Sequence, residues 1–205
     1  MAIHFEEIKV NSVEEFMQKY EEGYLFYNIE LDENKRQDLF NYIQSLKDSP
    51  FKYTCLGYCY YYGFGVNKDY DKAFYWFEKA SNVGDTTAQY NLGSCYENGE
   101  GVAQDYKKAF YWYEISANKG YVKAQNSLGY CYEFGRGVSQ DYEKAFYWYE
   151  KAASQGDMRS QYSLGYFYEF GIGVPQDHKK AFYWFELAAE QGDEDAQNAL
   201  DNLDY

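Results

Sequence analysis

Between residues 85 and 120 the chain alternates two apolar patterns of helical spacing with short glycine-marked breaks. Ala88, Leu92, Cys95 and Tyr96 fall three and four apart and predict a first helix over about 86–98. Asp85 stands in front of it with the side-chain oxygen that an N-cap needs. Gly99 and Gly101 then end the helix, because glycine accepts a left-handed cap and a tight turn. Val102 is expected to plug that turn into the core. Asp105 opens a second helix over about 105–118, with Ala109, Trp112, Tyr113, Ser116 and Ala117 as its inner stripe. Gly120 closes the unit.

The same pattern recurs along the chain. Trp76, Trp112, Trp148 and Trp184 are spaced by 36 residues, as are Leu56, Leu92, Leu128, Leu164 and Leu200. Gly84, Gly120, Gly156 and Gly192 keep the same step. A fixed period of this size is the signature of a solenoid, in which each helix pair buries its neighbour. Gly57, Gly93, Gly129 and Gly165 sit inside the first helices, where glycine costs about 1 kcal/mol relative to alanine. Close approach by a neighbouring helix is the expected reason.

Residues 88–117, AQYNLGSCYENGEGVAQDYKKAFYWYEISA, and 124–153, AQNSLGYCYEFGRGVSQDYEKAFYWYEKAA, carry one shared motif. Residues 160–189 match it apart from Ser160 in place of Ala, and 52–81 match it from LGYCYYYGFGV onward, with Lys52 at the start. This motif closely resembles the Sel-one-like repeat, a relative of the tetratricopeptide repeat. The resemblance covers about 50–203. It implies an all-α, right-handed superhelix of antiparallel helix pairs, and a non-enzymatic adaptor that assembles protein complexes without a cofactor. The expected organisation is a divergent helical cap at 1–49, repeats at 50–84, 85–120, 121–156 and 157–192, and a terminal half-repeat helix.

In the cap, Ser12 to Glu15 form a capping box opening a helix to about Glu22, and Leu39, Tyr42, Ile43 and Leu46 mark another over about 32–47. Ser49 and Pro50 read as N-cap and first-turn proline of the first clear repeat. Ala196, Ala199, Leu200 and Leu203 give the last half unit its apolar face.

Composition narrows the chemistry. The net charge of −14 and pI of about 4.5 argue against nucleic acid and anionic membrane surfaces as partners and favour a basic one. There is no apolar run long enough to span a membrane and no basic, apolar leader, so a cytoplasmic protein is expected. Aromatic residues make up 22% of the chain, which points to helices packed by large rings.

Candidate reactive groups have structural explanations. Cys59, Cys95 and Cys131 share one repeat position with Phe167, as a core position would allow. Equivalent stacked helices lie roughly 8–10 Å apart, too far for a disulfide, so reduced buried thiols are expected. Some secreted relatives carry a second cysteine per repeat that staples neighbouring helices; it is missing here. His178 replaces a tyrosine of the second helix, and His4 lies in the N-terminal tail. Ser116 to Lys119 fit Ser-x-x-Lys, but the companion motifs of penicillin-recognising enzymes are absent. The Gly-x-Gly pairs terminate helices and lack the context of a phosphate loop. No catalytic, cofactor or metal residues are assigned.

Partner binding is expected on the first helices. The tetratricopeptide analogy places Tyr58, Ser94, Tyr130 and Tyr166 in one groove column, Tyr61, Glu97, Glu133 and Glu169 in the next, and Tyr62, Asn98, Phe134 and Phe170 in a third. Lys52, Thr87, Lys123 and Arg159 form a partly basic rim. An aromatic floor with an acidic rail suits a basic or aromatic-containing peptide segment; packing rings and solvated glutamates are the plain alternative. A carbohydrate or small-ligand binder using the tyrosine-rich groove is the rival function. Tyr75, Tyr111, Tyr147 and Tyr183 point away from the inner stripe, either as a convex aromatic ladder or buried under the neighbouring unit.

Overall fold

The computed structural model describes residues 8–9, 29–30 and 32–202, with side chains described for 32–202. The helix expected from Ser12, as well as His4 and Leu203, lies outside the described residues. A two-residue parallel pair, β1 (Ile8–Lys9) and β2 (Ile29–Glu30), was not expected; Ile8 pairs with Ile29 and Lys9 with Glu30. All other described regular structure is helical, and the described residues fall into two compact units that divide after Gln104. The first holds α1 (Glu33–Ser45), α2 (Pro50–Tyr62), α3 (Tyr70–Asn82) and α4 (Thr86–Asn98). The second holds α5 (Tyr106–Asn118), α6 (Val122–Phe134), α7 (Tyr142–Ala153), α8 (Met158–Phe170), α9 (His178–Glu190) and α10 (Glu194–Asn202).

The helices start and stop where the chain supplies the chemistry. Ser49, Asp85 and Asp157 accept hydrogen bonds from the backbone N–H three residues on, capping α2, α4 and α8. Asp69, Asp105, Asp141 and Asp177 cap the second helices in the same way. Tyr121 stands at the α6 N-cap and makes no side-chain cap hydrogen bond. Gly137, at φ 75°, does more than turn the chain: a Cβ there would run into the carbonyl of Tyr106.

Each letter of the Ala-Phe-Tyr-Trp run has its own place. The alanines are buried, as Ala73, Ala109, Ala145 and Ala181 all are. The phenylalanine joins one repeat to the next: Phe74 meets Tyr96 edge-on at 5.4 Å, Phe110 meets Tyr132 at 5.3 Å and Phe146 meets Tyr168 at 5.4 Å. Such T-shaped pairs add about 0.5–1.5 kcal/mol beyond their buried area. The tryptophans are only half-buried, against the expectation for Trp112, and the next ring fills the core instead: Phe77, Tyr113, Tyr149 or Phe185. Val102 is likewise half-buried and does not plug the core.

The helix α1 is a second helix of the repeat type, shifted in register. Leu39, Phe40 and Ile43 precede Ala73, Phe74 and Phe77 by 34 residues and are buried in the same order of roles. Phe40 meets Tyr60 edge-on at 5.7 Å, as Phe74 meets Tyr96. A Cβ on Gly65 would strike the Arg36 carbonyl, as one on Gly101 would strike that of Tyr70.

Candidate functional site

On α8, Tyr166 and Phe170 lie one helical turn apart with ring centroids at 4.6 Å, and both are exposed, Phe170 by 60%. On α6, Tyr130 and Phe134 repeat that pair at 4.6 Å. Phe134 is exposed, but Tyr130 is half-covered. One turn residue beside these pairs differs. The Arg136 guanidinium sits 4.8 Å from the Tyr130 ring and 5.6 Å from that of Tyr106. The equivalent position between Gly171 and Gly173 is Ile172.

The acidic column divides in the same unit. Glu133 turns toward the core and accepts a 2.6 Å hydrogen bond from the Tyr149 hydroxyl. Burial raises its carboxyl above the ordinary range, and the Tyr149 hydrogen bond pulls it part of the way back. At Glu169 the core ring is Phe185, which has no hydroxyl to offer. Glu169 Oε2 instead lies 2.8 Å from His178 Nδ1, while its backbone carbonyl accepts from Gln176. His178, read from the sequence as a substituted helix residue, therefore holds a carboxylate of the candidate surface.

In the unit before Asp105 the expected groove residues are more closed. Tyr58 is buried, with its ring edge-on to Phe77 at 5.4 Å and its hydroxyl accepting from Asn91 at 2.8 Å. It belongs to the core there rather than to an open floor. Tyr61 donates to Glu100 Oε2 at 2.8 Å, and burial raises its phenol far above the usual range. Tyr62 is exposed and packs edge-on to Tyr61 at 4.9 Å. Asn98 is exposed and donates to Ser94 at 3.3 Å, so a polar pair stands where the other repeats have rings. Glu97 is half-buried, and its backbone carbonyl accepts from Gln104.

Glu100 and Arg136 were missed in the sequence reading, although a signal existed. They occupy the variable letter between two glycines, which reads Phe64, Glu100, Arg136 and Ile172 in successive repeats. Tyr75, Tyr111, Tyr147 and Tyr183 are exposed, each edge-on to the adjacent tryptophan at 5.1–5.2 Å. Cys55, Cys59, Cys95 and Cys131 are free and buried. Ser116 is fully buried. Among the described residues no group of three or more His, Cys, Asp or Glu is arranged to hold a metal ion, and no helix is long and apolar enough to cross a membrane.

A family model described as the Sel1 repeat matches residues 56–85, 86–121, 122–157 and 159–193. The fold is similar to that of a Sel1 repeat protein from Oxalobacter formigenes, with 32% identity over 92% of this chain and 74% of that one, at a TM-score of 0.79. It is also similar to c5321, a protective antigen present in uropathogenic Escherichia coli strains displaying an SLR fold. That match has 31% identity over 89% of this chain, a TM-score of 0.72, and spans only 38% of the antigen. Cysteine rich protein B of Helicobacter pylori matches at 28% identity over 65% of this chain and 96% of its own, with a TM-score of 0.52. A search of curated proteins returned no match. The fold class is an all-α solenoid of helix pairs.

Proposed function

The chain belongs to the Sel1 repeat family, whose members generally serve as protein-interaction scaffolds, and from that premise we propose that it is a non-enzymatic adaptor. It binds a protein segment along the first-helix face of the repeats, in the groove that solenoids of this class offer. The Tyr166–Phe170 pair is the observation that supports this reading most. Exposed rings held side by side on a helix mark a contact surface more often than a solvated one. Phe134 extends the surface on α6, and Glu169 supplies negative charge on α8. A segment with basic and aromatic side chains fits both, and no cofactor is needed.

Selection from a displayed library of peptides tests the reading, with a glycan array run in parallel. Wild type is expected to retain peptides that Phe134→Ser/Phe170→Ser loses at least tenfold, with an unchanged circular dichroism spectrum. Retention by both proteins would move the contact to another surface, such as the exposed Tyr147. Binding to glycans alone would replace the peptide reading by the carbohydrate one.

A further inference from the structure

We infer that the Tyr166–Phe170 pair receives an arginine side chain of the bound protein segment; this rests on the peptide-binding reading above. The chain carries its own template for the contact. On α6 the same ring position is Tyr130, and the Arg136 guanidinium lies 4.8 Å from its centroid. Helix α8 repeats the tyrosine and the phenylalanine at the same spacing, with the same centroid separation of 4.6 Å. What changes is the turn residue, because Ile172 replaces the arginine. Tyr166 is correspondingly exposed by 41%, whereas Tyr130 is half-covered.

Charge favours the same occupant. A guanidinium over a ring face is attracted by the ring quadrupole, and its plane stacks on the ring as an ammonium cannot. Glu169 lies three residues beyond Tyr166 on α8, so both side chains sit on one side of the helix. Its carboxylate is held by His178 Nδ1 at 2.8 Å, where that of Glu133 is held by the Tyr149 hydroxyl. The net charge of −14 draws a basic segment toward the whole molecule. The surface is therefore a repeat of an internal arginine site with the internal arginine removed.

Two substitutions in opposite directions test this. N-acetyl-L-argininamide is titrated into the full chain, and the assigned ring resonances of Tyr166 and Phe170 are followed by NMR; the citrulline analogue, equal in shape and uncharged, serves as control. Wild-type rings are expected to shift with the arginine compound and not with citrulline. Ile172→Arg is expected to abolish the response by supplying the guanidinium from within. Arg136→Gln is expected to add a response at Tyr130. Equal shifts with both compounds, or no effect of Ile172→Arg, would overturn the inference. Library-selected peptides that still bind after every arginine is changed to citrulline would also overturn it, while leaving the peptide-binding reading intact. If no peptide is selected, that reading fails and the titration alone decides whether the cation site exists.

Discussion

The Tyr149 hydroxyl donates a 2.6 Å hydrogen bond to Glu133, joining a core ring of α7 to helix α6. Burial lifts the Glu133 carboxyl, and this hydrogen bond opposes the lift. A carboxyl whose folded pKa is raised binds more protons when folded. Its contribution to stability is present in acid and is lost as pH rises from the ordinary carboxyl range through the raised value. Tyr149→Phe removes the opposing bond, so the Glu133 titration, followed by carboxyl carbon NMR, is expected to move further up. The variant is expected to lose about 1–2 kcal/mol at pH 7, the lower part of the range for a bond to a charged group, since Glu133 is only half-buried. At pH 4 the loss is expected to be smaller. Equal losses at both pH values would rule out this coupling.

Gly129 faces the same ring. A Cβ on it would lie 2.7 Å from Tyr149 Cδ1 and Cε1. Helix propensity alone makes Gly129→Ala stabilising by about 1 kcal/mol, but overpacking of a fixed core ring costs about 1–3 kcal/mol. The clash is expected to win and lower the melting temperature. Gly129→Leu is expected to lower it further. A Gly129→Ala protein that melts at or above the wild-type temperature would show that the ring moves aside freely.

Helix capping differs between α6 and α8 by one residue. Asp157 accepts from Ser160 N at 2.8 Å, whereas Tyr121 gives α6 no side-chain cap. Asp157→Ala is expected to cost about 1 kcal/mol. Tyr121→Asp is expected to gain a smaller amount, because the half-buried Tyr121 ring is given up for the new cap. Urea unfolding of both variants measures the two changes.

The four cysteines are expected to resist modification. All are buried, and burial raises the thiols of Cys55, Cys59 and Cys95, the last to about 12. The thiolate is the reactive form. A disulfide reagent at pH 8 is therefore expected to label none of them rapidly in native protein and all four in denaturant. Fast native labelling of even one would show that its helix opens locally.

The 36-residue period, the helix ends and the glycine positions could be read from the sequence because they are local. A capping aspartate or a left-handed glycine acts within a few residues of itself, as Asp105 and Gly99 do. The helix α1 was legible too, expected over about 32–47 and found at Glu33–Ser45, but its kinship with the second helices was not, because its Leu39-Phe40-Ile43 pattern stands 34 residues before its counterpart, not 36. The candidate surface was legible only as columns of residues. Tyr58 and Tyr166 share a repeat position, yet one is buried against Phe77 and the other exposed. Glu133 and Glu169 also share one, yet the Tyr149 hydroxyl holds the first, while the second, with Phe185 at that position, is held by His178. Repeat sequence determined which backbone each helix pair adopts, since caps, turns and apolar spacing are written within each copy. Tertiary structure decided which rings and carboxylates remain available, because that depends on residues such as Arg136 and Tyr149 brought alongside from other helices and turns.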